Sequence, residues 1–184
     1  MTSQIHSGAS PIDKAIETLY EMICQRKYKI CEKKENCFIG VNSDKKIIVF
    51  TNPVSKFNVD SVKEYIKISS GFGINHCIIV YTDSVTSMAK KLIENSVDIK
   101  IELFMSTELQ FNITRHRLVP THIKLDDVDA KKFKKQFGLK FPAILKTDPI
   151  SRFYGYERGD IIKIIRPSDY IMYRIVKSVR KKMN

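Results

Sequence analysis

The residues that could do chemistry in this 184-residue chain are few and scattered, chiefly four histidines, four cysteines and twenty carboxylates. His116 and His122 lie six positions apart with Val119-Pro120 between them. Two histidines that share a metal from one helix stand at i and i+4, and a proline between them breaks any regular face. Hydrogen bonding within the fold is the role this spacing supports. Cys24, Cys31, Cys37 and Cys77 form no C-x-x-C pair, so no zinc site is expected. With no signal peptide there is no oxidising compartment to favour disulfides, and the four read as reduced thiols, Cys77 in a strand core. Asp83 and then Asp98-Ile99-Lys100 have the acidic and acidic-x-Lys types of metal-dependent nucleases, where carboxylates hold Mg²⁺ and a lysine orients the attacking water. Lysine is abundant here, so such a triplet arises easily by chance. Thr82 to Thr86 offers several helix caps. A hydroxyl there, beside the free N–H groups of a helix N-terminus, can either bind phosphate or simply cap the helix. There is no Walker-type glycine loop, no serine nucleophile elbow and no Cys–His pair in a known setting.

The elements that would position these residues follow from local signals. Residues 1–9 are polar and expected to be disordered. Ser10-Pro11-Ile12-Asp13 is a capping box with proline at the first helical position. Ile12, Ala15, Ile16, Leu19, Tyr20 and Ile23 then mark one face of a helix ending near Lys27. Tyr28 to Lys34 is a connection without a clear pattern. Phe38 to Val41 and Lys46 to Thr51 are strands around the turn Asn42-Ser43-Asp44. Val62, Tyr65, Ile66 and Ser69 have helical spacing within 59–69, and Gly71 and Gly73 follow. Ile74 to Tyr81 is the most apolar strand of this half. Met88, Ala89, Leu92 and Ile93 give the next helix an apolar face, and Ile99 to Met105 is a further strand. Strand, helix and strand at this spacing imply a crossover and a parallel pair. Residues 10–110 are therefore expected to form an α/β domain with a small mixed sheet.

Composition changes near residue 110. Residues 1–110 hold 14 Lys/Arg against 13 Asp/Glu, and residues 111–184 hold 18 against 7. The net charge of +12 suggests an acidic partner, either nucleic acid or an acidic protein surface, although scattered lysines also keep a small domain soluble. In the second half, Asp126 or Asp127 caps a helix through Phe137, with Ala130, Phe133 and Phe137 facing inward, Lys131, Lys132, Lys134 and Lys135 mostly outward, and Gly138 at its end. Asp148-Pro149 starts a short helix with Ile150, Phe153 and Tyr154 on its apolar face, and Gly155 can close it in the left-handed conformation. Arg158-Gly159-Asp160 is a turn. Asp160 to Arg166 and Ile171 to Val176 are strands around a short loop, hence a hairpin. Residues 177–184 read as a basic, frayed tail. No apolar run approaches the roughly 20 residues of a membrane span, and a soluble intracellular protein with no membrane contact is expected.

Several of these residues recur in order in a known family. Asn112-Ile113-Thr114, His116, Leu118-Val119-Pro120, His122-Ile123, Asp148-Pro149, Tyr154-Gly155, the run from Arg158 through Gly159, Ile162 and Ile164 to Arg166, Ser168 and Tyr173-Arg174 all match. The last 70 or so residues thus resemble the C-terminal assembly domain of the fifth shared subunit of eukaryotic nuclear RNA polymerases, a domain that has an archaeal counterpart. Short deletions fall in the segments Gly138 to Pro142 and Ser168 to Tyr173, where loops tolerate them. The segment Ile78 to Ile93 more thinly resembles the part of the family's N-terminal jaw domain that carries a Thr-Pro-Ser-Ala motif. Thr86 and Ala89 are kept, while Ser87 and Met88 replace the middle pair.

The resemblance implies an α/β N-terminal jaw, restriction-endonuclease-like with a small mixed sheet, over 10–110. It also implies an α+β assembly domain with a β-hairpin over 111–176. It implies a noncatalytic polymerase subunit without a cofactor of its own, docked on the largest subunit and beside other subunits. The docking residues would be His116, Pro120, His122, Asp148, Pro149, Tyr154, Gly155, Arg158, Gly159, Ile162, Ile164, Arg166, Tyr173 and Arg174. It implies a jaw whose Ser84, Thr86, Ser87 and Lys90 lie near downstream duplex DNA. The short jaw and the Ile/Lys/Asn-rich composition suggest a divergent lineage such as a large DNA virus. The expected location is the nucleus for a cellular subunit, or a cytoplasmic virus factory and the virion for a viral one. A free-standing basic nucleic-acid-binding domain and a Mg²⁺-dependent nuclease are the alternatives.

Overall fold

The computed structural model describes residues 10–138, 140–167 and 170–178. The expected tail at 1–9, residues 179–184 of the one expected at 177–184, and Ser168 lie outside them. The chain divides into two compact units, Met1–Phe111 and Asn112–Asn184.

In the first unit, helix α1 (Pro11–Gln25) starts on a capping box. The Ser10 hydroxyl accepts from the Asp13 N–H, and the Asp13 carboxylate accepts from the Ser10 N–H. The chain then runs β1 (Lys29–Lys33), β2 (Cys37–Asn42), β3 (Lys45–Phe57), α2 (Val59–Gly71), β4 (His76–Val85), α3 (Ser87–Asn95) and β5 (Lys100–Met105). One sheet takes the strands in the order β1-β2-β3-β4-β5, antiparallel from β1 to β3 and parallel from β3 to β5. This is the expected mixed sheet.

Period-two alternation assigns its faces. Cys37, Ile39, Ile48, Phe50, Cys77, Ile79 and Ile101 point to the side covered by Val62 of α2 and Ala89 of α3. On the other side Tyr20 of α1 stacks on Phe38, with ring centroids 4.4 Å apart. Gly40 fits tightly there, because a Cβ would come within 3.1 Å of the Ile23 and Tyr28 side chains and push them aside by a few tenths of an ångström. The first unit is therefore a sheet with α1 on one face and α2 and α3 on the other.

Three local expectations change. The connection at 28–34 contains β1, a mostly exposed edge strand without alternation to betray it. Strand β3 continues past Pro53, which sits in a gap of the ladder. Its pairing with β2 ends at Phe50, and its pairing with β4 is irregular between Phe50 and Val54. A proline costs nothing where no ladder bond is made. Met88 is exposed rather than on the buried face of α3, where only Ala89 is fully covered.

The second unit contains β6 (Thr121–Lys124), α4 (Asp127–Phe137), β7 (Ala143–Leu145), α5 (Pro149–Tyr154), β8 (Ile161–Ile165) and β9 (Ile171–Lys177). The sheet order is β6-β8-β9-β7. Strands β8 and β9 form the expected antiparallel hairpin, β6 pairs antiparallel with β8, and β7 pairs parallel with β9. One sheet face, with Ile162, Ile164 and Val176, packs with Ile144 and Tyr156 into a small core. Helix α4 begins at its Asp126 cap but buries no residue. Phe137, expected inside, is 57% exposed. Phe133 reaches the sheet, 4.5 Å from the Tyr173 ring, and its neighbours Phe137 and Phe141 lean on it. Lys177, expected in the tail, belongs to β9, and its carbonyl accepts from the Lys146 N–H at 2.8 Å.

Candidate functional site

The residues that carry the resemblance in the second unit fall on its caps, turns and strands, on both faces of the sheet. Asp148 caps α5 by accepting from the Ile150 N–H at 2.9 Å, with Pro149 at the first helical position. Gly155 closes the helix at φ 68°, a conformation a side chain would strain. Gly159, at φ 92°, hands the chain to β8, and its N–H donates to the Val176 carbonyl at 2.9 Å. Asp160 accepts from the Glu157 N–H at 2.8 Å and pairs with Lys124 at 2.9 Å, tying the turn to β6.

His122 Nδ1 donates to the Pro120 carbonyl at 2.7 Å, and the Tyr156 hydroxyl donates to the His122 carbonyl at 3.3 Å. Burial pushes the His122 imidazole below its ordinary value, against the opposing pull of that carbonyl bond and of Asp148. Burial also pushes the Tyr156 phenol up, so it remains a donor. Tyr156 stacks on Tyr154, and Arg174 Nη1 donates to the Ala143 carbonyl at 3.2 Å. Most of these residues build caps, turns and strand junctions.

Ile162 and Ile164 correct an expectation. They are 0% and 3% exposed and fill the unit's own core, so neither presents a surface to a partner. His116, Arg158 and Arg166 are exposed, Pro120, Tyr173 and Arg174 are half-buried, and the exposed apolar residues lie elsewhere. Tyr156 and the Lys124–Asp160 pair went unforeseen. Lysine beside aspartate is too common in this composition to stand out.

In the first unit, β4 leads directly into α3. The Thr86 hydroxyl caps α3 by accepting from the Ala89 N–H at 3.3 Å, and the Thr86 N–H donates to the Phe57 carbonyl at 3.0 Å. Ser87 opens the helix, and Lys90 lies one turn on, both exposed. Ser84 pairs with Lys56 on β3. The four expected residues therefore lie together, Ser84 at the end of β4 and Thr86, Ser87 and Lys90 at the cap and first turn of α3, with no acidic residue in that turn.

The nuclease constellation does not assemble. Strands β4 and β5 are parallel, with His76 opposite Lys100, and Asp83 lies seven residues further along β4. That separation is about 23 Å at roughly 3.3 Å per residue. Lys100 instead stands 3.5 Å from Glu102. Glu102 receives both Arg26 terminal nitrogens at 2.9 Å and the His76 ring at 2.6 Å. Burial alone would push the Glu102 carboxyl up, but Arg26, His76 and Lys100 together hold it well below its ordinary value. This network fastens the end of α1 to β4 and β5. No group of three or more potential metal ligands occurs among the described residues. No helix among them is long and apolar enough to cross a membrane.

Comparison with known proteins converges on one family. The profile of the RNA polymerase Rpb5 C-terminal domain matches residues 111–176. The DNA-directed RNA polymerases I, II, and III subunit rpabc1 of Dictyostelium discoideum is 38% identical over 139 residues, covering 70% of this chain and 71% of that protein. A putative DNA-directed RNA polymerase subunit, 454R, of Invertebrate iridescent virus 6 is 33% identical over 184 residues, covering 89% of this chain and 98% of the viral one. The RPABC1 subunit of Caenorhabditis briggsae is 30% identical over 177 residues, covering 90% and 84%.

Proposed function

The chain belongs to the Rpb5 family of DNA-directed RNA polymerase subunits, and from that premise we propose how its two units divide the work. It is a noncatalytic subunit of such a polymerase. The second unit docks on the largest subunit and touches other subunits beside it. The first unit is the jaw, a fold of restriction-endonuclease type that has no nuclease centre here, and it lies near downstream duplex DNA. The polymerase's catalytic Mg²⁺ belongs to the large subunits. The observation that carries this reading is the match along 89% of the chain to a viral polymerase subunit of nearly equal extent. That relative also supports a virus factory and virion for a viral chain, as the cellular relatives support the nucleus for a cellular one.

Affinity purification of the full chain from its native source tests the assignment. The large polymerase subunits should co-purify in near-equal amounts, and recovery of the chain alone would contradict it. The jaw's role is tested by stalled elongation complexes reconstituted with variants. Phosphate contacts at a helix N-terminus come partly from backbone N–H groups, so Thr86→Ala with Ser87→Ala should weaken downstream DNA retention only mildly. Ser87→Glu should weaken it more, and most at low salt, because its charge repels the phosphate and neutralises the positive end of the helix dipole. Equal stability of wild type and Ser87→Glu at every salt concentration would remove this loop from the DNA path.

A further inference from the structure

The second unit's sheet has one face closed by its small core and one that α4 covers only in part. Alternation and register place Thr121 and Ile123 of β6, Lys163 and Ile165 of β8, and Ile171 and Tyr173 of β9 on that second face. Phe133 of α4 covers Tyr173, and Ile161 and Ile175 on the same face are 0% and 7% exposed. Toward the hairpin tip the cover ends. Ile123 and Ile171 are 44% and 45% exposed, with Ile165 between their rows only half-buried. Branched aliphatic residues in strands bury their side chains when a partner is present, and a contiguous row of them in water marks a surface that is normally covered.

Charge supplies the chemistry of the cover. Of the cations in strands β6 to β9, Lys163 and Lys177 lie on this face and Lys124 and Arg174 on the other, and the strands contain no carboxylate. Lys163 stands in the middle of the apolar row, opposite both Ile123 and Tyr173, and the exposed Arg166 lies just beyond Ile165. Among the described residues beside these strands, Asp160 is engaged with Lys124 and Glu157 with Lys146. A second copy of this face would set Lys163 against Lys163, which opposes self-association. A nucleic acid would leave the aliphatic row uncovered, since its backbone is polar and charged. The geometry points to an acidic segment with an apolar stripe, carried by another polymerase subunit, seated across Ile123, Ile165 and Ile171 with its carboxylates toward Lys163 and Arg166. This rests on the subunit assignment above and specifies which face is used and what it meets.

The test uses the full chain reconstituted with the other polymerase subunits. A photo-cross-linking amino acid replaces Ile123 or Ile171 in turn, with Val97 of the first unit as control. Cross-links from 123 and 171 should map to one polymerase chain, within a stretch richer in Asp and Glu than in Lys and Arg. Lys163→Glu and Ile171→Ser should each lower incorporation about tenfold, from repulsion and lost burial respectively, while Lys63→Glu on α2 should not. The Lys163→Glu loss should be greatest at low salt. Circular dichroism matching wild type shows that these variants still fold. Cross-links to nucleic acid or to a second copy of this chain would overturn the proposal, as would full incorporation of folded Lys163→Glu. Failure of the wild-type chain to enter the polymerase would instead overturn the subunit assignment, and this proposal with it.

Discussion

The two units spend their apolar residues in opposite ways. Among the described residues, twenty-three buried apolar side chains belong to the first unit and nine to the second. Seven of the twelve large exposed apolar residues belong to the second, although it is the smaller. The first unit sandwiches its sheet between helices on both faces and satisfies its one buried carboxylate internally. The second covers one sheet face, leaves part of the other bare, carries a helix that buries nothing, and holds nearly all the excess positive charge. The first unit covers both faces of its sheet, and the second leaves apolar surface bare, as the proposed docking requires. Large interfaces between permanent partners resemble a domain core cut in half, and a docked second unit would supply such a surface.

The sharpest way to break this contrast is to damage each core. Ile162→Asp places an unpaired charge where the side chain is 0% exposed, at a cost of about 4–5 kcal/mol or more. The second unit has few buried residues to absorb that loss and should unfold, while the first keeps its secondary structure and its own thermal transition. Calorimetry should show one lost transition. Loss of both would mean the units are not independent.

Arg26→Ala removes the bidentate partner of Glu102 and should cost the first unit about 3–5 kcal/mol. The same network gives a signed pH dependence. The Glu102 carboxyl titrates well below its ordinary 4.5 in the folded state. The stability it contributes is therefore complete above the unfolded value and is lost as pH falls through the folded one. The gap between wild type and Glu102→Gln in thermal melts should stay constant near neutrality and close on acidification below about 4.5. A gap unchanged down to the folded value would remove Glu102 from the account.

The smallest effect is also the most local. All four cysteines lie in the first unit, Cys24 and Cys31 exposed and Cys37 and Cys77 buried. Burial pushes the Cys77 thiol up to about 12, so it is neutral and covered at ordinary pH. Native labelling at pH 8 should modify Cys24 and Cys31 and spare Cys77, measured by mass spectrometry of peptides. Cys77 should stay protected in Ile162→Asp, which links this readout to the first prediction.

What was legible in the sequence is what local chemistry decides. Ser10-Pro11 with Asp13, Asp148-Pro149 with Gly155, and Asp126 with the helix after it are signals complete within a few residues, and each forms the cap it announces. The hairpin of β8 and β9 was legible because two β-branched runs flank a short loop. What stayed hidden depends on partners distant in sequence. The three residues of β7 are a strand only because β9 lies beside them, and β6 needs β8. The inward face expected for α4 followed from spacing alone, which gives the direction of a stripe but not whether a surface exists to receive it. The docking residues suffered likewise. A shared motif marks what a fold needs, and in Ile162, Ile164 and Asp148 that need is internal.

Hydrogen–deuterium exchange of the full chain, free and then within the assembled polymerase, compares the units most directly. Backbone amides of a surface that becomes an interface exchange more slowly once it is covered. Assembly should slow exchange in the second unit, most in β6, at the hairpin tip of β8 and β9 and along α4, and leave α1, β2 and β4 of the first unit nearly unchanged. New protection concentrated in the first unit, with β6, α4 and the hairpin tip exchanging as in the free chain, would contradict the account.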